Sequence, residues 1–272
     1  MIAFFREPLE FAFFVRALLA AMAASAICAL VGTFIVLRGM TFLGDALAHA
    51  ILPGVALGYL VHRGERSAVF YWALGTGVIT SLAIGALGKH GRFREDTAIG
   101  IVFAGMFALG IGLISTARGY AVDLVHFLFG NVLAVSPYDL WLILCLCGGV
   151  ALVVLALWKE IALTTLDPVF ARTLRLPVDA IRYLLLLLAA VTVVTALRVV
   201  GVALVLAMLV TPPATGYLLA KRLSGMAGIA VLSGILSGFW GLYLSYYAGI
   251  APGAAVVLVA TGLFLFALPF RR

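Results

Sequence analysis

The chain has 272 residues, of which 65% are hydrophobic and only 11% are charged, and its mean hydropathy is +1.23. Soluble domains carry about a quarter of charged residues, and a globular protein of this length cannot bury so much apolar surface in one core. The net charge of +7 is not gathered into a basic stretch with interleaved aromatic residues, so nothing supports nucleic-acid binding. The composition therefore predicts an all-α polytopic membrane protein with a single transmembrane domain over 1–272.

Apolar stretches of about 20 residues recur along the chain, and they lack the alternation of a transmembrane β-barrel. The first of them is too long for a signal-peptide core and is kept as a span. A shorter apolar piece, 122–135, ends at Ser136-Pro137 and is predicted to be a short re-entrant or interfacial helix. The nine predicted spans are 11–37, 41–61, 68–88, 97–115, 137–158, 181–197, 199–220, 226–247 and 253–269.

The placement of Lys and Arg residues predicts the orientation of the chain. With the N-terminus outside and nine spans, the cytoplasmic side receives twelve of them: Arg38, Lys89, Arg92, Arg94, Lys159, Arg172, Arg175, Arg182, Lys221, Arg222, Arg271 and Arg272. The other six lie on or near the opposite side: Arg6, Arg16, Arg63, Arg66, Arg118 and Arg198. This excess follows the positive-inside bias of membrane proteins.

Two polar residues, Asp45 and His49, lie within the second predicted span, four residues apart, so on a helix they share one face. A carboxylate in a membrane span normally faces a cavity, a partner or a pathway, because exposing it to lipid is costly. A carboxylate oxygen and an imidazole nitrogen one turn apart suit Mn²⁺, Zn²⁺ or Fe²⁺. The alternatives are an Asp–His hydrogen bond that locks the helix, or a pair at a helix end. Pro53, just beyond the pair, is predicted to bend this span.

Small residues recur where helices are expected to meet. Gly54 and Gly58 are four residues apart in the second span, and a second group is formed by Ser233, Gly234, Ser237, Gly238 and Gly241. Such spacing permits close approach of two helix backbones. Packing within the chain is the preferred interpretation, and a dimer face is the alternative.

A third polar pair, Asp123 and His126, lies at the start of the short 122–135 piece, which Asn131 closes. The preferred interpretation is that these groups cap and anchor a half-span at the membrane interface. A role beyond anchoring stays open.

The segment 164–179, TTLDPVFARTLRLPVD, is the longest polar interruption in the second half of the chain. Asp167 is a good N-cap and Pro168 suits the first helical position, so a short helix is predicted to begin here and to close before Pro177. Phe170 and Leu174 give this helix an apolar edge on a basic background. The pattern favours a docking surface for a soluble partner, and the alternative is a helix that rests on lipid headgroups.

Several catalytic motifs are missing from the sequence. It contains no G-x-x-x-x-G-K-[ST] phosphate loop, so the chain is not itself an ATPase. It contains no H-E-x-x-H or G-x-S-x-G segment either, which disfavours an integral membrane enzyme.

Five segments, in this order, resemble the permease subunits of bacterial manganese/zinc/iron ABC importers, the ABC-3 family. The resemblance runs from about residue 30 to about residue 260. The segments are LRGMTFLGDALAHAILPGVALG, EDTAIGIVFAGMFALGIGL, DLVHFLFGNVLAVS, LDPVFARTLRLPV and RVVGVALVLAMLVTPPAT.

The resemblance implies a multi-pass permease of the bacterial inner membrane, not an enzyme, that works as a homo- or heterodimer with two cytoplasmic ATPase subunits. An extracytoplasmic metal-binding protein would deliver Mn²⁺ or Zn²⁺, with Fe²⁺ also open, and no cofactor would be bound permanently. Asp45 and His49 would line the ion path, and the segment 167–176 would be the coupling helix. The residues that the resemblance places against the ATPase are Asp167, Pro168, Phe170 and Ala171.

The sequence departs from this family after SYY and at the doubled proline Pro212-Pro213, and it leaves other functions open. Relatives often carry an acidic residue after SYY, where this chain has Ala248 and Gly249, so an ion-binding role for that outer loop is not expected. The first alternative is an ABC permease for a metal chelate or a vitamin-like solute, which would not need protein ligands for the metal. The second is a proton-coupled secondary metal carrier, which would not need a docking helix. The third is an intramembrane hydrolase, for which no second catalytic group is found.

Overall fold

The structure, a computed structural model, describes residues 2–62, 66–89, 94–116 and 135–270. Within these ranges the chain is helical and contains no strand. The predicted short helix at 122–135 and its polar residues Asp123, His126 and Asn131 lie outside the described residues, apart from Val135 itself.

Thirteen α-helices and a final 3₁₀ turn are found in the described ranges. They are α1 (Ile2–Leu9), α2 (Ala12–Leu37), α3 (Leu43–Ala50), α4 (Leu52–His62), α5 (Arg66–Lys89), α6 (Glu95–Ser115), α7 (Pro137–Ala156), α8 (Trp158–Leu166), α9 (Pro168–Thr173), α10 (Val178–Val200), α11 (Val202–Leu219), α12 (Leu223–Ala248), α13 (Pro252–Ala267) and the turn Leu268–Phe270.

These helices confirm the prediction of about nine membrane-crossing segments. In the described part of the chain, eight are long and apolar enough to cross a bilayer, and Leu204–Leu219 within α11 is a shorter apolar helix. The second span is divided into α3 and α4 at Ile51. The division follows from Pro53, whose ring nitrogen cannot donate to the carbonyl of His49.

The centre of the bundle is α2, which is apolar on all sides and rich in alanine. It packs against α7, α8, α10, α11 and α12. A helix that is hydrophobic all round is expected to be buried, and α2 buries small side chains such as Ala17, Ala20, Ala21 and Ala24. The other helices are thereby arranged around it.

The small residues singled out in the sequence lie at helix–helix contacts within the chain. A Cβ atom at Gly54 would lie 2.4 Å from the backbone oxygen of Trp72, and one at Gly58 would lie 2.9 Å from the Cα of Val69, both on α5. A Cβ at Gly234 would lie 2.8 Å from the backbone oxygen of Ser25 on α2. The preferred interpretation, intrachain packing, agrees with these contacts.

A polar cluster ties together the outer ends of three helices. Ser136 caps α7: its Oγ accepts from the backbone N–H of Asp139 at 3.1 Å, and its own N–H donates to the Asp139 carboxylate at 3.2 Å. The same carboxylate forms an ion pair with Arg198 of α10. The Arg198 guanidinium also lies 4.8 Å from the ring centroid of Phe70 on α5. Arg198, in the last turn of α10, is therefore paired with an acid and with an aromatic ring.

Candidate metal path and docking helix

The structure places Asp45 and His49 on one face of α3, in direct contact. His49 Nδ1 lies 3.2 Å from Asp45 Oδ1 and 3.1 Å from the backbone oxygen of Asp45. Because two acceptor oxygens face Nδ1, this nitrogen carries the hydrogen, and in the neutral imidazole Nε2 keeps a free lone pair. A carboxylate that orients a histidine in this way is a recurring feature around metal ligands.

Two aromatic rings of α6 enclose the imidazole. The His49 ring makes edge contacts with Phe103 and Phe107, at centroid distances of 6.2 and 5.8 Å. The two phenylalanines stack on each other at 5.7 Å, and Phe42 adds an edge contact to Phe103. The rings therefore restrict the rotation of His49 on one side while the other side stays open.

The pair lies deep in the bundle. Phe103 and Phe107 are about 12 and 18 Å along α6 from Glu95, in a helix of about 31 Å, at 1.5 Å per residue. The histidine they contact therefore lies level with the middle of α6, a helix long and apolar enough to cross a bilayer. Both side chains of the pair are nevertheless 31% exposed. A carboxylate at this depth requires a polar surface, a partner or an ion on its open side.

The described residues supply only these two donors at this position. Among them, no group of three or more His, Cys, Asp or Glu side chains is close enough to hold one metal ion. An ion bound here would complete its coordination with water or with groups from another subunit. A site with few protein ligands releases an ion readily, as a transport path requires.

The second candidate element is α9, a helix of about one and a half turns that was predicted to lie on the cytoplasmic side. The carboxylate of Asp167 accepts a hydrogen bond of 2.8 Å from the backbone N–H of Phe170, and Pro168 is the first helical residue. After the helix, Arg175 adopts a left-handed φ of 58°. Leu176 N–H donates to Ala171 O and Arg175 N–H to Arg172 O, which is the Schellman arrangement. Both ends of this short helix are thus fixed by hydrogen bonds.

Large apolar side chains are exposed on α9 and at its two ends, beside the exposed Arg172. Leu166, Val169, Phe170 and Leu174 are 62%, 73%, 50% and 54% exposed, whereas Ala171 is buried against the bundle. We call these four exposed side chains the docking surface.

Sequence reasoning missed two features of these sites. Phe103 and Phe107 have the i, i+4 spacing of one helix face, but nothing in the sequence links that face to His49. Arg38 was counted only as a cytoplasmic charge, yet its side chain reaches Thr164 and Thr165 at the end of α8. Such contacts depend on how distant helices pack, so no local pattern predicts them.

In the described residues, eight helices long and apolar enough to cross a bilayer, together with a shorter apolar helix, define a polytopic membrane protein. The sequence profile described as the ABC 3 transport family matches residues 10–271. The chain belongs to this family, and it is a multi-pass protein of the bacterial inner membrane.

Two relatives share nearly the whole length of the chain. The manganese transport system membrane protein MntC of Halalkalibacterium halodurans is 46% identical over 98% of this chain and 90% of its own length. A protein of Haemophilus influenzae named "Probable iron transport system membrane protein" is 38% identical over 98% of this chain and 96% of its own length.

A solved structure has the same fold. It is the PsaBC complex of Streptococcus pneumoniae with a Fab, of which one chain is 36% identical to this one, with a TM-score of 0.84. The match covers 98% of this chain and 95% of that chain. The agreement confirms the predicted fold class.

Proposed function

We propose that this chain is the permease subunit, and not an enzyme, of an ATP-driven importer of divalent metal ions, with Mn²⁺ as the cargo. The observation that carries the proposal is the Asp45–His49 pair, which is part-exposed and lies level with the middle of the apolar helix α6. Membership of the ABC 3 transport family supports ATP as the energy source. Manganese is chosen over iron and zinc because the relative with 46% identity is named for manganese.

Asp45 and His49 are proposed as the metal-binding residues of the ion path. Nε2 of His49 offers a lone pair, and the Asp45 carboxylate both orients the imidazole and keeps acceptor capacity for the ion. Oxygen and imidazole donors suit Mn²⁺ and accept Fe²⁺ or Zn²⁺ as well. Selection among these metals is therefore assigned mainly to the protein that delivers the ion.

The docking surface of α9 is proposed as the contact with the cytoplasmic ATPase. Asp167 and Pro168 form the start of this helix, Phe170 is one of its exposed apolar side chains, and Ala171 anchors it to the bundle. The chain has no phosphate loop of its own, so hydrolysis takes place on separate subunits. A short, capped helix transmits a displacement better than a flexible loop does, because its ends are fixed.

The proposed mechanism is alternating access in a complex of two permeases, identical or different, with two ATPase subunits. An extracytoplasmic binding protein releases the ion to the path, where Asp45 and His49 hold it briefly. ATP binding then displaces α9 and rearranges the spans, so that the path opens to the other side. The open side of the pair is where a second permease or water completes the coordination.

The test is metal uptake into proteoliposomes that contain the permease with its co-purified ATPase and binding protein. We expect ATP-dependent uptake of Mn²⁺, with Zn²⁺ and Fe²⁺ as competitors and Mg²⁺ as the negative control. Permease without ATPase is expected to transport nothing. ATP-independent uptake driven by a pH gradient would contradict the proposal in favour of a secondary carrier.

A further inference from the structure

Arg38 joins two parts of the molecule that are far apart in sequence. It follows the last residue of α2, and its Nε donates to Thr165 Oγ1 at 3.4 Å, while Nη2 donates to Thr164 O at 3.5 Å. Thr164 O is one of the terminal carbonyls of α8, which have no partner within the helix. A cation at this end of a helix is also favoured by the helix dipole. Arg38 is therefore bound to the end of α8.

Two charged groups on further spans, Glu95 and Arg182, act on the charge of this guanidinium, and we call the three groups the charged cluster. Glu95, the first residue of α6, is 3.0 Å from Arg182 Nε on α10. The Arg182 side chain passes over Gly88 on α5, where a Cβ atom would lie in steric conflict with its Nη2. Burial lowers the pKa of Arg38 from its usual value, and Glu95 opposes that change. Arginine stays charged in such surroundings, so its partners must remain in place.

On one side this cluster leads to the docking surface. Thr164 and Thr165 precede Asp167, the N-cap of α9, by only three and two residues. The backbone N–H of Asp167 donates to Leu163 O in the last turn of α8. A displacement of α9 therefore moves the groups that Arg38 holds.

On the other side the cluster leads to the metal-binding pair. After Arg38 the chain turns at Gly39, with a φ of 73°, and Met40 N–H donates to Ile35 O, so the turn is fixed to the end of α2. Asp45 follows seven residues after Arg38, on α3. Glu95 begins α6, the helix whose Phe103 and Phe107 enclose the ring of His49. Both α3, which carries Asp45 and His49, and α6, which carries Phe103 and Phe107, begin near this cluster.

We propose that Arg38 is the positioning residue through which displacement of α9 reaches the Asp45–His49 pair. The inference rests on the proposed function, since it assumes that α9 contacts the ATPase and that the pair binds the ion. When the end of α8 moves, Arg38 follows it, because a half-buried guanidinium loses its hydrogen bonds if its partners move away. The turn at Gly39 then carries this movement into α3.

The test compares Arg38→Gln and Arg38→Lys with the wild type, and uses Arg222→Gln as the matched control, since Arg222 is an exposed cytoplasmic arginine. Four quantities are measured in proteoliposomes: the amount of co-purified ATPase, the rate of ATP hydrolysis, the rate of Mn²⁺ uptake, and the ratio of ions moved to ATP hydrolysed. For Arg38→Gln we expect assembly and hydrolysis within twofold of the wild type, and a ratio at least tenfold lower. Arg38→Lys recovers part of the ratio, and Arg222→Gln leaves it unchanged.

An unchanged ratio in Arg38→Gln overturns the inference, because a residue with a merely structural role lowers assembly and hydrolysis together. If neither Arg38 variant assembles with the ATPase, the ratio of ions moved to ATP hydrolysed is measured in Thr165→Val instead. It removes the acceptor of Arg38 Nε and nearly keeps the side-chain shape, so a ratio equal to that of the wild type overturns the inference as well.

Two further arms separate this inference from the proposed function. Wild-type complex without ATP-dependent Mn²⁺ uptake, or Asp45→Asn with normal uptake, contradicts the proposed function and the inference together. Loss of uptake in Asp45→Asn with a normal ratio in Arg38→Gln contradicts the role of Arg38 alone.

Discussion

His49 is held in one orientation by contacts of two kinds. The Asp45 oxygens fix which nitrogen carries the hydrogen, and the rings of Phe103 and Phe107 limit the rotation of the imidazole. The sequence predicted the pair because i, i+4 spacing places two side chains on one face of a helix. It left a metal ligand set, an Asp–His hydrogen bond and a pair at a helix end as alternatives. The geometry shows that Nδ1 faces Asp45 and that the two residues lie in the first and last turns of the short helix α3, and Nε2 is the nitrogen that the proposed function assigns to the ion.

The contact of Phe103 and Phe107 with the His49 ring gives a prediction about a single side chain. Phe107→Ala leaves space beside the imidazole, so Nε2 is no longer held in one direction. Loss of groups that orient a metal ligand typically costs about 10- to 100-fold in affinity or activity. We expect the KM for Mn²⁺ uptake to rise by about tenfold, with little change in kcat. Phe266→Ala, at a 71% exposed position on α13, is the control, and an equal rise of KM in both variants would contradict this role.

At the scale of helices, close backbone contacts determine which spans are neighbours. Gly54 lets α4 approach the backbone of α5 at Trp72, and Gly32 lets α2 approach the backbone oxygen of Leu209 on α11. The sequence predicted close packing at Gly54 but not its partner helix. Partner choice depends on the shapes of two distant segments at once, and a local pattern carries information on only one of them.

The contact at Gly54 predicts a stability difference between two glycine substitutions. Gly54→Ala places a methyl group against the backbone of α5, so the helices must separate, at a cost of about 1–3 kcal/mol. Gly75→Ala, on α5 with no atom near the new methyl group, is expected to be neutral or to stabilise by up to about 1 kcal/mol. Thermal unfolding of the two purified variants in detergent checks this. A lower midpoint for Gly75→Ala than for Gly54→Ala would refute the packing argument.

The cap of α9 gives a second prediction at this scale. Asp167→Ala removes the hydrogen bond to Phe170 N–H and destabilises the short helix by about 1 kcal/mol. Because the docking surface then loses its fixed shape, we expect several-fold less ATPase to co-purify with the variant. Asp167→Asn keeps a capping oxygen and serves as the control. Equal recovery of ATPase with alanine and with asparagine would show that the cap has no part in docking.

For the whole molecule, the charge distribution and the parity of the nine predicted spans predict that α9 lies in the cytoplasm. With Cys145 replaced by Ser, the remaining native cysteines, Cys28 and Cys147, are buried. In that background, Val169→Cys should react with an impermeant maleimide only in inside-out vesicles. Glu10→Cys, before α2, should react only in right-side-out vesicles. The opposite labelling pattern would show that the topology is inverted, and a cytoplasmic ATPase could then not dock on α9.

The overall architecture was largely predictable, and the long-range contacts were not. Span positions follow from about 20 apolar residues in a row, and the limits of α9 follow from Asp167, Pro168 and Pro177, which act locally. The contact of Arg38 with Thr164 and Thr165 joins positions about 126 residues apart. Neither segment has a local pattern that predicts the other as its partner, so the contact is seen only in the packed structure.

The central claim is that Asp45 and His49 are ligands on the route of the ion, and Mn²⁺ uptake by the Asp45→Asn complex tests it most directly. The assay measures initial ATP-dependent uptake into proteoliposomes, with Asp179→Asn, an exposed aspartate of α10, as the matched control. We expect at least a tenfold loss of uptake for Asp45→Asn, with normal assembly with the ATPase, and wild-type rates for Asp179→Asn. Wild-type uptake in Asp45→Asn would contradict this claim and reduce the pair to a hydrogen bond that locks α3.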